Sequence, residues 1–279
     1  MKLKITNPIV SVQWLQANLY AENLIVLDAT IQKVGVKKNL IKEKQHLKNA
    51  VFFDLKTVFL DVNGKYPNTI PSQEHFESEV QKLGVNKDTC IVVYDDIGTY
   101  SSPRVWWLFK VFGFTNIAVL NGGLPAWKNA GFFTEKGIHQ QVPKGNFTAS
   151  FQKDLFADTA QVLKASTEKA TILDARSKAR FFAETPEPRK GLRGGHIPNS
   201  TNLPYANLQV DGMMKEANEL TEIIFKHHLK QDNIICSCGS GITACIIALA
   251  IEITGNTNYS IYDGSWTEWA SSLELPVEK

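Results

Sequence analysis

The chain has 279 residues, 43% of them apolar and 21% charged, enough to bury a sizeable core and too apolar to stay disordered. Its 30 basic and 28 acidic residues leave a net charge of +2, which gives no electrostatic case for nucleic acid or for a polybasic membrane contact. Four cysteines, three of them crowded between Cys236 and Cys245, do not make a disulfide framework, so a reducing cytoplasm is the expected setting.

The first eight residues, Met1 to Pro8, hold no long apolar run, and neither a secretory leader nor a membrane span is expected there. Short runs rich in Val and Ile then alternate with longer amphipathic stretches. Leu24 to Leu27 reads as a strand. Ser72 caps a helix from Gln73 to Leu83, and Ile91 to Tyr94 and Ile117 to Leu120 read as further strands. Gly137 to Lys153 shows no sustained periodicity and reads as a connector. Beyond it, Ile172 to Leu173 and Asn233 to Cys236 read as strands, and Ile246 to Ile251 as a buried helix. This alternation predicts an α/β fold with mainly parallel, buried sheets.

The landmarks occur twice in the same order. "VLDAT" (Val26 to Thr30) returns as "ILDAR" (Ile172 to Arg176), and "HLKNAVFFDL" (His46 to Leu55) as "HIPNSTNLPY" (His196 to Tyr205). "IVVYDD" (Ile91 to Asp96) returns as "NIICSC" (Asn233 to Cys238), and "NGGLPAW" (Asn121 to Trp127) as "DGSWTEW" (Asp263 to Trp269). The steady offset of 142 to 150 positions indicates two related half-chains rather than a solenoid of short repeats.

Cys238 opens a glycine-rich turn, "CGSGIT", between a strand and a helix. Cys236, Cys238 and Cys245 offer no C-x-x-C pair and no His-x-x-x-His partner, so zinc is not expected. Cys90, Cys236 and Cys245 suit the role of small buried hydrophobes. At Cys238 the successive N–H groups of Gly239, Ser240, Gly241 and Ile242 can turn inward as an anion-binding nest, and the helix that follows adds its positive end. Both favour a thiolate nucleophile. A cysteine phosphatase needs an arginine six positions on, where this chain has Ala244. A cysteine protease needs a base; His196 is available, but its twin His46 argues for a structural task in both halves. Sulfur transfer remains.

With "CGSGIT", "ARFFAETPEPRKG" (Ala179 to Gly191), "GHIPNSTNLP" (Gly195 to Pro204), "SPRVWWLFKVFG" (Ser102 to Gly113), "NGGLPAWKNAG" (Asn121 to Gly131) and "DGSWTEW", nearly the whole chain resembles the rhodanese family of sulfurtransferases, closest to its 3-mercaptopyruvate sulfurtransferase branch. The resemblance implies two tandem rhodanese-like α/β domains: 1–140 without the catalytic cysteine, a linker over 141–157, and a catalytic domain over 158–279. It implies a Cys238 persulfide that carries sulfur from a small donor to a thiol or cyanide, with thioredoxin as one such thiol. No cofactor and no metal are implied.

Rhodaneses proper carry Arg and Lys directly after the cysteine, where this chain has the neutral Gly239 and Ser240; that favours mercaptopyruvate over thiosulfate as donor. Arg180 and Arg189 match the family arginines that grip the carboxylate and keto groups, a task suited to a planar guanidinium. The loop residues Gly239, Gly241, Ile242 and Thr243 complete the expected donor site. The family's Ser-His-Asp relay maps to Ser240 and Asp54, but its histidine position holds Asn68, and His75 is too far along to replace it. Arg104 is expected to serve structure, and the tryptophans Trp106, Trp107, Trp127, Trp266 and Trp269 packing. Two other readings stand beside this one: a thiosulfate:cyanide sulfurtransferase and a non-catalytic rhodanese-like binding module.

Overall fold

The computed structural model describes residues 2–32, 45–137, 142–168, 170–225 and 233–279; the boundary expected between 140 and 141 lies outside them. The chain divides into two compact units. The first comprises Met1–Val62, Ile70–Gln152 and Asp211–Met214, the second Asn63–Thr69, Lys153–Val210 and Lys215–Lys279.

The first unit is built on a five-stranded parallel sheet of β1 (Ile9–Val10), β2 (Leu24–Asp28), β3 (Val51–Phe52), β4 (Cys90–Tyr94) and β5 (Ile117–Leu120), in the order β1-β5-β4-β2-β3. Every residue of β4 and β5 is buried, as continuous apolar runs in a parallel sheet covered on both faces require. Helices α1 (Val12–Asn18), α2 (Gln73–Lys82), α3 (Ser102–Val111) and α4 (Gly123–Asn129) accompany it. Val12 and Leu15 of α1 and Leu124 and Trp127 of α4 pack against Val26, Val92, Tyr94 and Leu120 of the sheet. A second cluster joins Phe76 of α2, Phe109 and Phe112 of α3, and Phe53, Phe59 and Phe147. Ser72 caps α2 through its hydroxyl, as the sequence predicts.

The second unit repeats this plan. Strands β6 (Phe156–Ala157), β7 (Ile172–Asp174), β8 (Thr201–Asn202), β9 (Ile234–Ser237) and β10 (Tyr259–Tyr262) form a parallel sheet in the order β8-β7-β9-β10-β6. Read strand for strand, that is the order of the first sheet. Its helices are α5 (Thr159–Glu168), α6 (Lys178–Phe181), α7 (Ala217–Phe225), α8 (Ala244–Ile253) and α9 (Ser265–Ser271). Helix α8 is buried without interruption from Ala244 to Ile251, on every side, so it is an element of the core rather than a surface helix. Burying Ile246, Ile247, Leu249 and Ile251 contributes about 2 kcal/mol each, which holds the start of α8 firmly against the sheet. Cys238 follows the C-terminal end of β9, the edge at which open parallel sheets present ligands.

The twin histidines both serve structure, with different partners. His46 Nδ1 lies 2.8 Å from Asp28 Oδ2, and both side chains are buried. His196 stacks on Phe181 with ring centres 3.8 Å apart, and its Nδ1 lies 3.1 Å from the Phe181 carbonyl oxygen. The five tryptophans singled out above are at most 1% exposed, and the Arg104 guanidinium lies 4.6 Å from the ring centre of Trp107.

Candidate active site

Between β9 and α8 the chain runs Cys238 to Thr243, with Gly241 at φ +76°, a conformation that costs glycine nothing. One side chain gathers this loop. Ser265 Oγ accepts from the N–H of Cys238 at 3.1 Å and of Gly241 at 3.2 Å, and lies 3.9 Å from Cys238 Sγ. Its own proton goes to the Tyr262 carbonyl at 2.8 Å. The next residues fasten the loop from the same side: Trp266 N–H donates to Cys238 O at 2.9 Å, and Thr267 N–H to Gly239 O at 3.0 Å. Thr267 Oγ1 also donates to Gly239 O. The "DGSWTEW" motif is therefore the scaffold of the cysteine loop. Its repetition was visible in the sequence, but this task was not.

Both arginines reach the loop. Arg189 Nη2 donates to Ser240 Oγ at 3.2 Å, and its Nη1 lies 3.4 Å from Thr267 Oγ1. Arg180, on α6, lies over Gly239, where an added Cβ would come within 2.9 Å of its Nη2. Arg180 is held from behind by Glu187, with Nε 3.2 Å from Oε1 and Nη2 2.5 Å from Oε2. Glu187 in turn takes Arg176 Nη1 at 2.9 Å, and Arg176 binds Asp174 through Nε and Nη2. Burial by itself lowers the Arg176 pKa; Asp174 and then Glu187 outweigh it and hold the guanidinium above its ordinary value. A chain of alternating charges, Asp174–Arg176–Glu187–Arg180, thus ends at the cysteine loop. Neither Arg176 nor Glu187 was among the residues expected at the site, although Glu187 stands inside a motif quoted for the resemblance and Arg176 closes the repeated "ILDAR".

Asn68 also arrives at the loop, within the second unit. Its backbone is left-handed at φ +64°, and its Nδ2 donates to Ser240 O at 2.9 Å and to Ser240 Oγ at 3.0 Å. Asp54 belongs to the first unit, where its carboxylate accepts from the N–H groups of Lys56 at 2.8 Å and Thr57 at 3.0 Å and from the Thr57 hydroxyl. His75 Nε2 lies 2.7 Å from Val58 O. Among the described residues no group of three or more His, Cys, Asp or Glu could hold a metal ion.

The counterpart loop of the first unit, after β4, is filled from within. Asp95 Oδ1 accepts from the N–H groups of Ile97 and Gly98, each at 3.0 Å. Its Oδ2 accepts from the N–H groups of Tyr100, Ser101 and Ser102, each at 2.9 Å, and from the Ser102 hydroxyl at 2.7 Å. Burial pushes this carboxyl above the usual range, and the hydrogen bonds from Ser102, Tyr100 and Ile97 pull the other way. Where the second unit has a thiol beside a gathered loop, the first has a carboxylate inside one.

A buried thiol, a hydroxyl and two guanidinium groups around one loop can hold an anionic donor beside a sulfur nucleophile. Known proteins are similar to this chain over nearly its whole length. The chain is 38% identical over 274 residues to the 3-mercaptopyruvate sulfurtransferase of Escherichia coli K12, covering 96% of this chain and 97% of that one. It is 38% identical over 299 residues to the thiosulfate/3-mercaptopyruvate sulfurtransferase 1, mitochondrial, of Arabidopsis thaliana, covering 98% and 78%. The crystal structure of SseA from Escherichia coli, described as a 3-mercaptopyruvate sulfotransferase, superposes with a TM-score of 0.83 at 34% identity, covering 94% of this chain and 99% of that one. The rhodanese-like domain matches residues 11–130 and again 158–272, one match in each half of the chain. With that double match and a relative spanning its length, the chain belongs to the rhodanese family, in its two-domain form.

Proposed function

We infer that this sulfurtransferase takes its sulfur from 3-mercaptopyruvate onto Cys238. The observation that carries the reading is the pair Arg180 and Arg189 at a loop whose own residues after the cysteine, Gly239 and Ser240, are neutral. A monocarboxylate with an adjacent keto oxygen suits two guanidinium groups better than a compact dianion does. The Cys238 thiolate attacks the donor sulfur, and the carbon–sulfur bond breaks with its electron pair moving to carbon as the enolate of pyruvate. The thiol proton of the donor ends on that carbon, giving pyruvate and a Cys238 persulfide anion. The N–H groups of Gly239, Ile242 and Thr243 and the start of α8 stabilise the charge on sulfur. The Gly241 N–H acts at one remove, through Ser265. A thiol or cyanide then attacks the outer sulfur and restores the thiolate; thioredoxin is the protein thiol we place in this role.

The test is donor kinetics with mass spectrometry. Incubation with mercaptopyruvate should add one sulfur to Cys238 and release pyruvate. Cys238→Ser should lose both, while Cys236→Ser and Cys245→Ser keep persulfide formation. Sulfur loading in the Cys238 variant refutes the assignment. The second reading, thiosulfate as donor, is supported by the Arabidopsis relative whose name carries both donors. A higher kcat/KM with thiosulfate than with mercaptopyruvate would establish it. No described helix is long and apolar enough to cross a membrane, and a cytoplasmic setting is part of this proposal.

A further inference from the structure

Asn68 occupies the position at which the family resemblance calls for a proton-carrying histidine, yet it is 6% exposed and bonded to the loop. Its amide orientation follows from its surroundings. The Ser240 carbonyl oxygen, 2.9 Å away, can only accept, so the Asn68 atom facing it is the nitrogen and not the oxygen. The same nitrogen, with its second proton, faces Ser240 Oγ at 3.0 Å. Arg189 Nη2 donates to that oxygen as well, at 3.2 Å. A hydroxyl has two acceptor positions and one proton. Asn68 and Arg189 fill both acceptor positions, so only the proton is left to meet a ligand.

We propose that Asn68 is a positioning residue that makes Ser240 an obligate hydrogen-bond donor, aimed at the oxygen that gains charge on the leaving group. Resting on the sulfur-transfer reading above, this assigns the serine a part that needs no relay. The hydroxyl does not give up its proton, and no base has to take it. In the breaking of the carbon–sulfur bond it stabilises the enolate oxygen of pyruvate; with thiosulfate it would meet a sulfite oxygen equally well. An amide does not titrate, so the serine stays a donor across the neutral range. The charged and titratable groups around it are Arg189 on its oxygen, Arg180 with Glu187 over Gly239, Cys238 in the same loop, and Tyr66 in the segment that carries Asn68.

The experiment is a pH series from 5 to 9 on wild type, Asn68→Asp and Asn68→Ala, reading kcat and KM with mercaptopyruvate and with thiosulfate. A carboxyl at position 68 faces a carbonyl oxygen and can donate only while protonated. A protonated carboxyl has one proton for the two oxygens that the amide nitrogen meets, so Asn68→Asp should recover part of the wild-type kcat at the acid end and fall about five- to tenfold below wild type as the carboxyl ionises, while Asn68→Ala falls by a similar factor at every pH. The loss should sit in kcat more than in KM, and thermal unfolding should show both variants folded. A purely structural asparagine would give no acid-side recovery. An Asn68→Asp ratio to wild type that is flat with pH, or an Asn68→Ala variant with full kcat, overturns the inference. Failure of mercaptopyruvate to load wild type while thiosulfate does refutes the donor reading separately, and the variant ratio is then read with thiosulfate.

Discussion

Replacing Asp95 by asparagine tests whether an internal anion fills the loop after β4 of the first unit. The carboxylate accepts six hydrogen bonds, two at Oδ1 and four at Oδ2. An amide keeps its oxygen and can satisfy the first two. Its NH2 then faces the N–H groups of Tyr100, Ser101 and Ser102, donor against donor. The Ser102 hydroxyl can turn and accept from the NH2, so three bonds are lost; at about 1 kcal/mol each they give about 3 kcal/mol, and the charge on the acceptor makes that a floor. The site is fully buried, so solvent does not soften the loss. For a unit of this size the cost corresponds to a fall of roughly 10 °C in its melting temperature. Urea and thermal unfolding followed by circular dichroism measure it. Asp95→Gly removes the carboxylate and leaves the five N–H donors around open space; tens of millimolar formate should recover part of its loss, and chloride at equal ionic strength should not. A shift below about 1 kcal/mol in Asp95→Asn would mean that the carboxyl sits there protonated. The picture of an internal anion filling the loop would then be wrong.

Arg189→Ala and Arg180→Ala should each lower kcat/KM for mercaptopyruvate by about 30- to 150-fold, the cost of one charge-assisted hydrogen bond; unchanged kinetics in both would place the donor elsewhere. Gly239→Ala puts a methyl within 2.9 Å of Arg180 Nη2, and since a flexible guanidinium can move aside, stability should change by less than about 0.5 kcal/mol while KM for the keto acid rises several-fold. An unaltered KM would show that Arg180 does not touch the donor. Burial pushes the Cys90 thiol up to about 11 and Cys236 well above its ordinary value, so the folded chain keeps protons that the unfolded chain has lost. Their contribution to stability is complete below the ordinary thiol value of about 8.5 and is lost as pH rises towards 11 and beyond. Urea midpoints should therefore fall on the alkaline side of about pH 9, and Cys90→Ala should flatten part of that fall; a wild-type midpoint that rises there would contradict it.

The repeat and the fold class could be read from the chain alone because they rest on local pattern. Short Val and Ile runs such as Ile91 to Tyr94 suit strands buried on both faces, and a glycine turn such as Gly239 to Gly241 marks itself. The candidate nucleophile could be picked out for the same reason, since the strand end, the turn and the start of α8 are neighbours in sequence. The geometry around it was not. Ser240 meets Asn68 across 172 positions, Cys238 meets Ser265 across 27, and Arg189 meets Ser240 across 51. Nothing in the composition of residues 63–69 says that this segment folds with the second unit. Which donor faces Ser240 Oγ depends on how separate loops pack, and a change of one residue type, Asn68 for a histidine, alters the chemistry without altering any local pattern. Periodicity and turn residues act between neighbours and are written in the chain. Hydrogen-bond partners are chosen by three-dimensional packing, which alone decided that this serine presents a proton and that the aspartate of the first unit points into its own loop.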